Sequence, residues 1–335
     1  MIKIKMNENM TVRLLEKEEF DSWDKFVDES EQGNIFCKSF WSGYICSDGN
    51  IKFCIYGVFN KHGDLIAGLP IYHRKKAMLD IAIYPPVTPF MGILYGKKNT
   101  KISKIESYER EVIAALTEKI RSDYSYISLA LDPSIMDLRP FKFEGWESHA
   151  VYTYYVGLSD IKFLWDNLDR NCKKNIKKSQ ESNLVFSKET DIKQFYDLYS
   201  KTYLRQNMAV PASEKTIRAI YTNLKEKGAV QLYSAKKDSQ IIALSLVIFD
   251  KKRAYYLLAA SDPDNRQYKA PSFLLWNILE DISGRYDEID LVGANTPSII
   301  MFKKGFATKL VPYYVVSNFS NKLIKLLFNI RNKFI

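Results

Sequence analysis

The chain has 335 residues, 46% of hydrophobic type, 26% charged and 14% aromatic. That is enough for two domains of ordinary size or one enlarged one, and it excludes a mainly disordered or collagen-like chain. Lys and Arg number 49 against 39 Asp and Glu, a net charge of +10 that favours anionic partners such as phosphates, nucleic acid or acidic lipid without choosing among them.

In chain order, Thr11 to Leu15 reads as a strand. Glu16 to Glu29, with Phe20, Trp23, Phe26 and Val27 at helical spacing, reads as an amphipathic helix. Lys52 to Phe59 and Leu65 to Tyr72 are β-rich runs around the turn-forming Asn60-Lys61-His62-Gly63-Asp64, which predicts an antiparallel hairpin. Pro85, Pro86 and Pro89 then forbid a helix or central strand, so a shaped loop on the surface or in a cleft is expected. Ser103 to Arg121 follows as a helix with Val112, Ile113, Leu116 and Ile120 inward, and Tyr126 to Leu131 as a short buried strand.

The second half repeats the plan. Ile161 to Ser179 carries a stripe of Ile161, Leu164, Trp165, Leu168, Cys172 and Ile176 behind a cap at Ser159 or Asp160, and its other face is basic. Helices are predicted over Ile192 to Arg205 and Ser213 to Lys227, the latter stopped by Gly228. Strands Ala229 to Ala235, Ile241 to Phe249 and Ala254 to Ala260 form a meander, and a helix starts at Pro271. Strands Glu288 to Val292 and Val311 to Val316 are expected to finish this domain. The expected class is α/β of mixed α+β type: two domains, each an open, mostly antiparallel mixed sheet flanked by helices. Their bounds are 1–150 and 151–318, with a basic amphipathic tail helix over 319–335.

No run of about eighteen apolar residues exists, which excludes an ordinary transmembrane helix. The first residues carry charges and no apolar h-region, so no signal peptide is expected and the cytoplasm is the expected address. Cys37, Cys46, Cys54 and Cys172 lack the short paired spacings of a zinc site or redox dithiol, and His62, His73 and His149 are not spaced to share a metal on a helix face. No phosphate loop and no glycine-rich dinucleotide turn is present. His73 beside Arg74 stays open between a general base and a solvated strand-end residue.

Several stretches resemble the FemAB-type branch of the GNAT acyltransferase superfamily, whose members hold two GNAT-like domains. They are the basic helix Arg170 to Ser179, the run Phe195-Tyr196-Asp197-Leu198-Tyr199 followed by Thr202 and Arg205, and the order Tyr255-Tyr256-Leu257, Pro271, Leu274, Trp276, then Phe302-Lys303-Lys304-Gly305-Phe306. Leu65 to Ile71 and the loop near Pro85 resemble the family's first domain more weakly. The resemblance implies acyl transfer to an amine, with an aminoacyl-tRNA or an acyl-CoA as donor and no tightly bound cofactor. Two departures stand out. Arg266-Gln267-Tyr268-Lys269-Ala270-Pro271 replaces the glycine-rich turn that offers N–H groups to the pyrophosphate of CoA, and Leu291-Val292-Gly293-Ala294 replaces a double-glycine strand ending.

Acyl transfer passes through a tetrahedral oxyanion and needs a positive donor near it. The resemblance gives that role to Lys303, with Lys304 as its substitute; an ordinary solvated lysine is the plainer reading. Arg205 suits a pyrophosphate-linked acceptor or a surface ion pair. Tyr255 and Tyr256 alternate on one strand, so one is expected to face substrate and the other the core. Asp262 and Asp290 are candidate proton acceptors or, equally, turn residues. Arg170 and Lys174 on the basic helix, with Lys269, would meet the phosphates of a tRNA donor or of the acceptor. In the tail, Leu323, Leu327, Ile330 and Phe334 line one face while Lys322, Lys325, Arg331 and Lys333 add four positive charges, a pattern for docking on the body or for lying on the inner face of the membrane. The expected function is transfer of an acyl or aminoacyl group to an amine of a cell-envelope precursor, of peptidoglycan or polysaccharide. CoA-dependent N-acylation of an amino sugar and a noncatalytic RNA- or membrane-binding scaffold are the alternatives.

Overall fold

A computed structural model describes residues 10–76, 78–97, 101–205, 207–321 and 324–325. The chain divides into two compact units, residues 1–151 with 313–335 and residues 152–312.

In the first unit, β1 (Met10–Leu14) leads through a short 3-10 turn into α1 (Phe20–Glu29) and α2 (Ser39–Ile45). The hairpin β2 (Lys52–Asn60) and β3 (Leu65–Lys76) turns through Asn60, whose Oδ1 accepts from the N–H groups of His62 and Asp64. Next come β4 (Leu79–Ile83), β5 (Leu94–Tyr95), α3 (Ile102–Asp123), β6 (Tyr126–Ala130) and α4 (Arg139–Phe143). The sheet order is β1-β2-β3-β4-β6, with β5 also on β3; only β4 and β6 run parallel. The proline loop is anchored in the core rather than laid on the surface. Thr88, Phe90 and Met91 are buried, Trp41 Nε1 donates to Thr88 Oγ1 at 3.0 Å, and Met91 N donates to Ala130 O at 2.8 Å.

The second unit begins at Tyr152, within β7 (Glu147–Gly157), a strand the sequence reading does not name. The expected helix 161–179 is two helices, α5 (Ile161–Asn167) and α6 (Arg170–Glu181). Asp160 caps the first by accepting from Phe163 N, and Asp169 caps the second by accepting from Asn171 N. Each aspartate satisfies an orphan N–H, so the apolar stripe continues across a break. There follow β8 (Val185–Glu189), α7 (Ile192–Leu204), α8 (Glu214–Glu226), β9 (Val230–Lys237), β10 (Gln240–Phe249), β11 (Ala254–Ser261), α9 (Ala270–Ile282), β12 (Glu288–Asp290) and α10 (Pro297–Lys303). The sheet order is β7-β12-β11-β10-β9-β8, antiparallel except for β11 with β12. One face of this sheet packs Ala243, Val247, Ala254 and Tyr256 against α5, α6 and α9. The alternate residues Leu244, Leu246 and Ile248 are buried as well, so the other face is also covered, by α7 and α8.

The last strand, β13 (Lys309–Phe319), corrects the expected layout. Instead of finishing the second domain it pairs antiparallel with β6 of the first unit, from Val315↔Ala130 to Phe319↔Tyr126. A strand's partner is a long-range choice that its own residues do not encode. The expected tail helix falls almost wholly outside the described residues; of its basic side chains only Lys325 is described, paired with Glu147. Among the described residues no helix is long and apolar enough to cross a membrane.

The first unit contains a close contact that fixes one glycine. A Cβ on Gly68 of β3 would lie 2.3 Å from a ring carbon of Trp23 and 3.1 Å from Tyr56 O. Trp23 is fully buried and its Nε1 donates to Cys37 O at 2.8 Å, so the ring has nowhere to move. Gly68→Ala is expected to cost about 1–3 kcal/mol by overpacking, seen as a lower urea midpoint at unchanged slope.

Candidate functional site

The parallel pair in the second unit separates early. β11 and β12 are in register only at Ala254↔Ile289 and Tyr255↔Asp290; β12 then ends, while β11 continues to Ser261. A register shift opposite Leu246 and Val247 leaves Leu257 as an extra residue in β11, and such a bulge bends the strand it sits in. Asp262 N donates to Ile242 O at 2.9 Å on the β10 side. By the period of two, Leu258 and Ala260 address β10 as well, whereas the peptide groups of Ala259 and Ser261 address the side where β12 has ended. No strand among the described residues pairs with β11 there beyond Tyr255. Ala259 is exposed and Ser261 half-buried, so the opening is lined by small side chains and unpaired backbone groups. A gap at the carboxyl ends of diverging parallel strands is where open sheets bind ligands.

The far lip of this opening is the loop after β12, and it is tightly held. Lys303, at the end of α10, is 7% exposed, and its Nζ donates to Leu291 O at 2.5 Å, Val292 O at 2.5 Å and Gly293 O at 3.0 Å. Three acceptors for three hydrogens fix the group as an ammonium, since a neutral amine has only two to give. Burial pushes its pKa down to about 8, with Asp290 opposing the shift. Asp290 is fully buried, accepts from Val292 N at 2.7 Å and from the Thr153 hydroxyl, and has no partner at Oδ2 among the described residues. Burial raises its pKa to about 6 against the pull of Thr153, Val292 N, Arg253 and Lys303. Val292 and Gly293 both have positive φ, 51° and 81°, which turns successive carbonyls toward the one ammonium.

Of the expected site residues, the structure therefore brings Lys303 and Asp290 together, but in a different capacity. Lys303 has no free hydrogen for an oxyanion, and Asp290 lies behind the loop with no exposed surface from which to take a substrate proton. Lys304 is exposed on the turn that follows. Asp262 caps the 3-10 turn after β11, accepting from Asp264 N at 3.0 Å and Asn265 Nδ2 at 2.8 Å, so both its oxygens are engaged. Tyr255 and Tyr256 do alternate, but helices cover both faces and both rings are buried. Tyr255 OH donates to Asp250 Oδ2 at 2.9 Å, and Tyr256 joins the core beside α9. Neither can orient a substrate from there. Arg205 is the exposed C-cap of α7.

Around the start of α9 the charges are exposed. Ser179 Oγ of α6 lies 2.7 Å from Tyr268 O, which ties α6 to the turn before the helix. Arg170, Lys174, Lys177 and Lys178 of α6 point to solvent. Lys269, half-buried, is the N-cap of α9 in a left-handed conformation with φ 55°. Its carbonyl accepts from Ser272 N at 3.0 Å and Phe273 N at 3.4 Å, and Pro271 has no N–H. The convergent amide donors that a pyrophosphate needs at a helix start are thus absent from residues 271–273. The functional groups that sequence reasoning missed are backbone ones, the edge of β11 and the loop carbonyls; Gly293 is their one visible sequence signal.

Comparison with known proteins adds the family context. Residues 167–304 match the family model described as an acetyltransferase (GNAT) domain. No curated protein matches the chain. Among solved structures, FemX is 12% identical, with a TM-score of 0.67 over 91% of this chain and 96% of that one. A tandem GNAT protein from the clavulanic acid biosynthesis pathway is 11% identical, with a TM-score of 0.56 over 93% and 99%. L-PGS from Bacillus licheniformis is 10% identical, with a TM-score of 0.55 over 94% and 96%. At these identities the structural likeness speaks to fold. The chain has the tandem GNAT fold expected from the FemAB-type resemblance, and its second unit carries the GNAT acyltransferase domain.

The buried pair makes stability depend on pH with two opposite slopes. Asp290 rises from 3.8 to about 6 on folding, so between these values the folded state holds more protons and stability falls as pH rises, by about 3 kcal/mol at most. Lys303 falls from 10.5 to about 8, so from there upward the unfolded state holds more protons and stability recovers as pH rises. Urea unfolding across pH 4–10 is expected to show this dip, and Asp290→Asn to flatten its acid side.

Proposed function

We propose that this GNAT acyltransferase moves an aminoacyl or acyl group from an activated ester or thioester to the amine of a cell-envelope precursor, using the opening between β11 and β12. The observation that carries the reading is the early end of the β11–β12 pairing, which leaves the Ala259 and Ser261 peptide groups as an empty half-ladder beside small side chains. An extended donor with its own amide or ester groups can dock on such an edge as an added strand would. The neutral amine then attacks the donor carbonyl carbon, the carbonyl π pair moves onto oxygen, and collapse re-forms the carbonyl while the C–O or C–S bond breaks. The amine's proton leaves with the departing alkoxide or thiolate, so an ester or thioester and an amine give an amide and an alcohol or thiol. Holding the two reactants in line is the main service of such a groove, and no metal is required for this balance.

Two features favour an aminoacyl ester over CoA as donor. The start of α9 lacks the amide donors that cradle a pyrophosphate, because Lys269, Pro271 and the inward bonds of Ser272 and Phe273 occupy that place. The exposed cations of α6 lie beside the same turn, where an RNA backbone would gain from counterion release. Peripheral attachment through the tail would bring the enzyme to a lipid-linked acceptor at the inner face of the membrane.

The test is product mass after incubating the protein with charged tRNA or acetyl-CoA and amine-bearing peptidoglycan or amino-sugar precursors. Transfer from tRNA supports the full reading, transfer from acetyl-CoA alone supports the amino-sugar alternative, and no transfer from either favours a binding scaffold. Ala259→Pro removes the outward N–H at a position where a strand without a partner tolerates proline. It is expected to lower kcat/KM about tenfold or more, one lost hydrogen bond to the donor, with the circular dichroism spectrum unchanged.

A further inference from the structure

We infer that the N–H of Gly293 is the hydrogen-bond donor for the oxyanion, and that Lys303 is the positioning residue that aims and polarises it. This rests on the acyl-transfer reading above. Four N–H groups follow β12. Those of Leu291, Val292 and Ala294 are engaged, with Tyr154 O at 2.8 Å, Asp290 Oδ1 at 2.7 Å and Tyr152 O at 2.9 Å. Gly293 N–H has no acceptor among the described residues. The carbonyls of Leu291, Val292 and Gly293 are taken up by Nζ of Lys303.

The direction of the Gly293 N–H follows from the peptide bond. No cis bond is present among the described residues, and in a trans peptide the N–H points opposite to the C=O. Val292 O points at the buried ammonium, so the N–H on the other end of that peptide points away from it. Space is available beside it: a Cβ on Gly293 would meet no atom within 4 Å, and the residue is half-buried rather than enclosed. A cation on the carbonyl oxygen withdraws electron density along the peptide and strengthens the N–H as a donor, as in any polarised chain of hydrogen bonds. The loop is held from its other side too, because Asn295 Oδ1 accepts from Tyr152 N at 2.9 Å and Asn295 Nδ2 donates to Tyr152 O at 3.1 Å. A donor fixed before the reaction needs no reorganisation when charge develops. It belongs to the loop that follows the end of β12, where the pairing with β11 stops. The attack step remains as balanced above; Gly293 lends a hydrogen bond and transfers no proton.

The experiment combines NMR with kinetics on the full chain. Glycine-selective 15N labelling reports few resonances, and Gly293→Asn, which tolerates the left-handed conformation, identifies the Gly293 peak by its loss. In the unaltered protein the Gly293 amide is expected to exchange readily with solvent and to shift with pH around 8 as Lys303 titrates; Lys303→Met should abolish that shift. With charged tRNA or acetyl-CoA as donor, Lys303→Met is expected to lower kcat about tenfold to a hundredfold while KM for the donor changes less than twofold, and Lys303→Arg to recover part of kcat. A Gly293 amide that is protected from exchange or indifferent to Lys303→Met overturns the inference, as does a Lys303→Met variant that keeps its kcat. Absence of transfer by the unaltered protein overturns the acyl-transfer reading as well, and the NMR arm, which needs no substrate, separates the two failures.

Discussion

Three backbone carbonyls, those of Leu291, Val292 and Gly293, converge on one buried ammonium, and the second unit's candidate site is arranged around that contact. A charge taken out of water must be matched by dipoles or partners, and removing a partner from such a group typically costs about 3–5 kcal/mol. Here the match is made by main chain. Matching it with main chain forces two consecutive residues to positive φ and turns the end of β12 away from the ladder. The loop that satisfies Lys303 begins where the pairing with β11 stops, and that strand's outer edge is open from there.

Asp290 belongs to this arrangement as a restraint. Its carboxylate holds Val292 N and the Thr153 hydroxyl, so it fixes the loop from below while Lys303 fixes it from the side. Both groups have pKa values moved toward neutrality by burial, a property often taken as a mark of catalysis. In this loop the shifts record the desolvation of groups that shape the backbone. On the proposed reading the chemistry passes to peptide groups, which suits acyl transfer, since an oxyanion is as well served by an oriented N–H as by a charge.

Much of the fold was legible locally. The hairpin at Asn60, the meander from Val230 to Ser261 and the helix behind Pro271 each carry their period and their turn residues, and the elements form within a residue or two of expectation, except that β3 runs on from Tyr72 to Lys76. The break at Leu168–Asp169 was less visible because the apolar stripe runs through it and only the cap reveals it. β7 went unnamed, since its polar first half reads as a connection while its second half gains strand character from pairing with β12.

The sequence by itself determined the class, a tandem of mixed sheets with helices on their faces, because periodicity and turn chemistry are properties of short windows. The resemblance of Phe302-Lys303-Lys304-Gly305-Phe306 to the FemAB-type pattern singled out Lys303. Only the tertiary structure decided that β13 pairs with β6, that both Tyr255 and Tyr256 are covered, and that the lysine faces three carbonyls instead of a reactant. Those outcomes depend on which distant segments meet. Hydrogen bonding and desolvation act on whatever is brought within about 3 Å, and no window of sequence states what that will be.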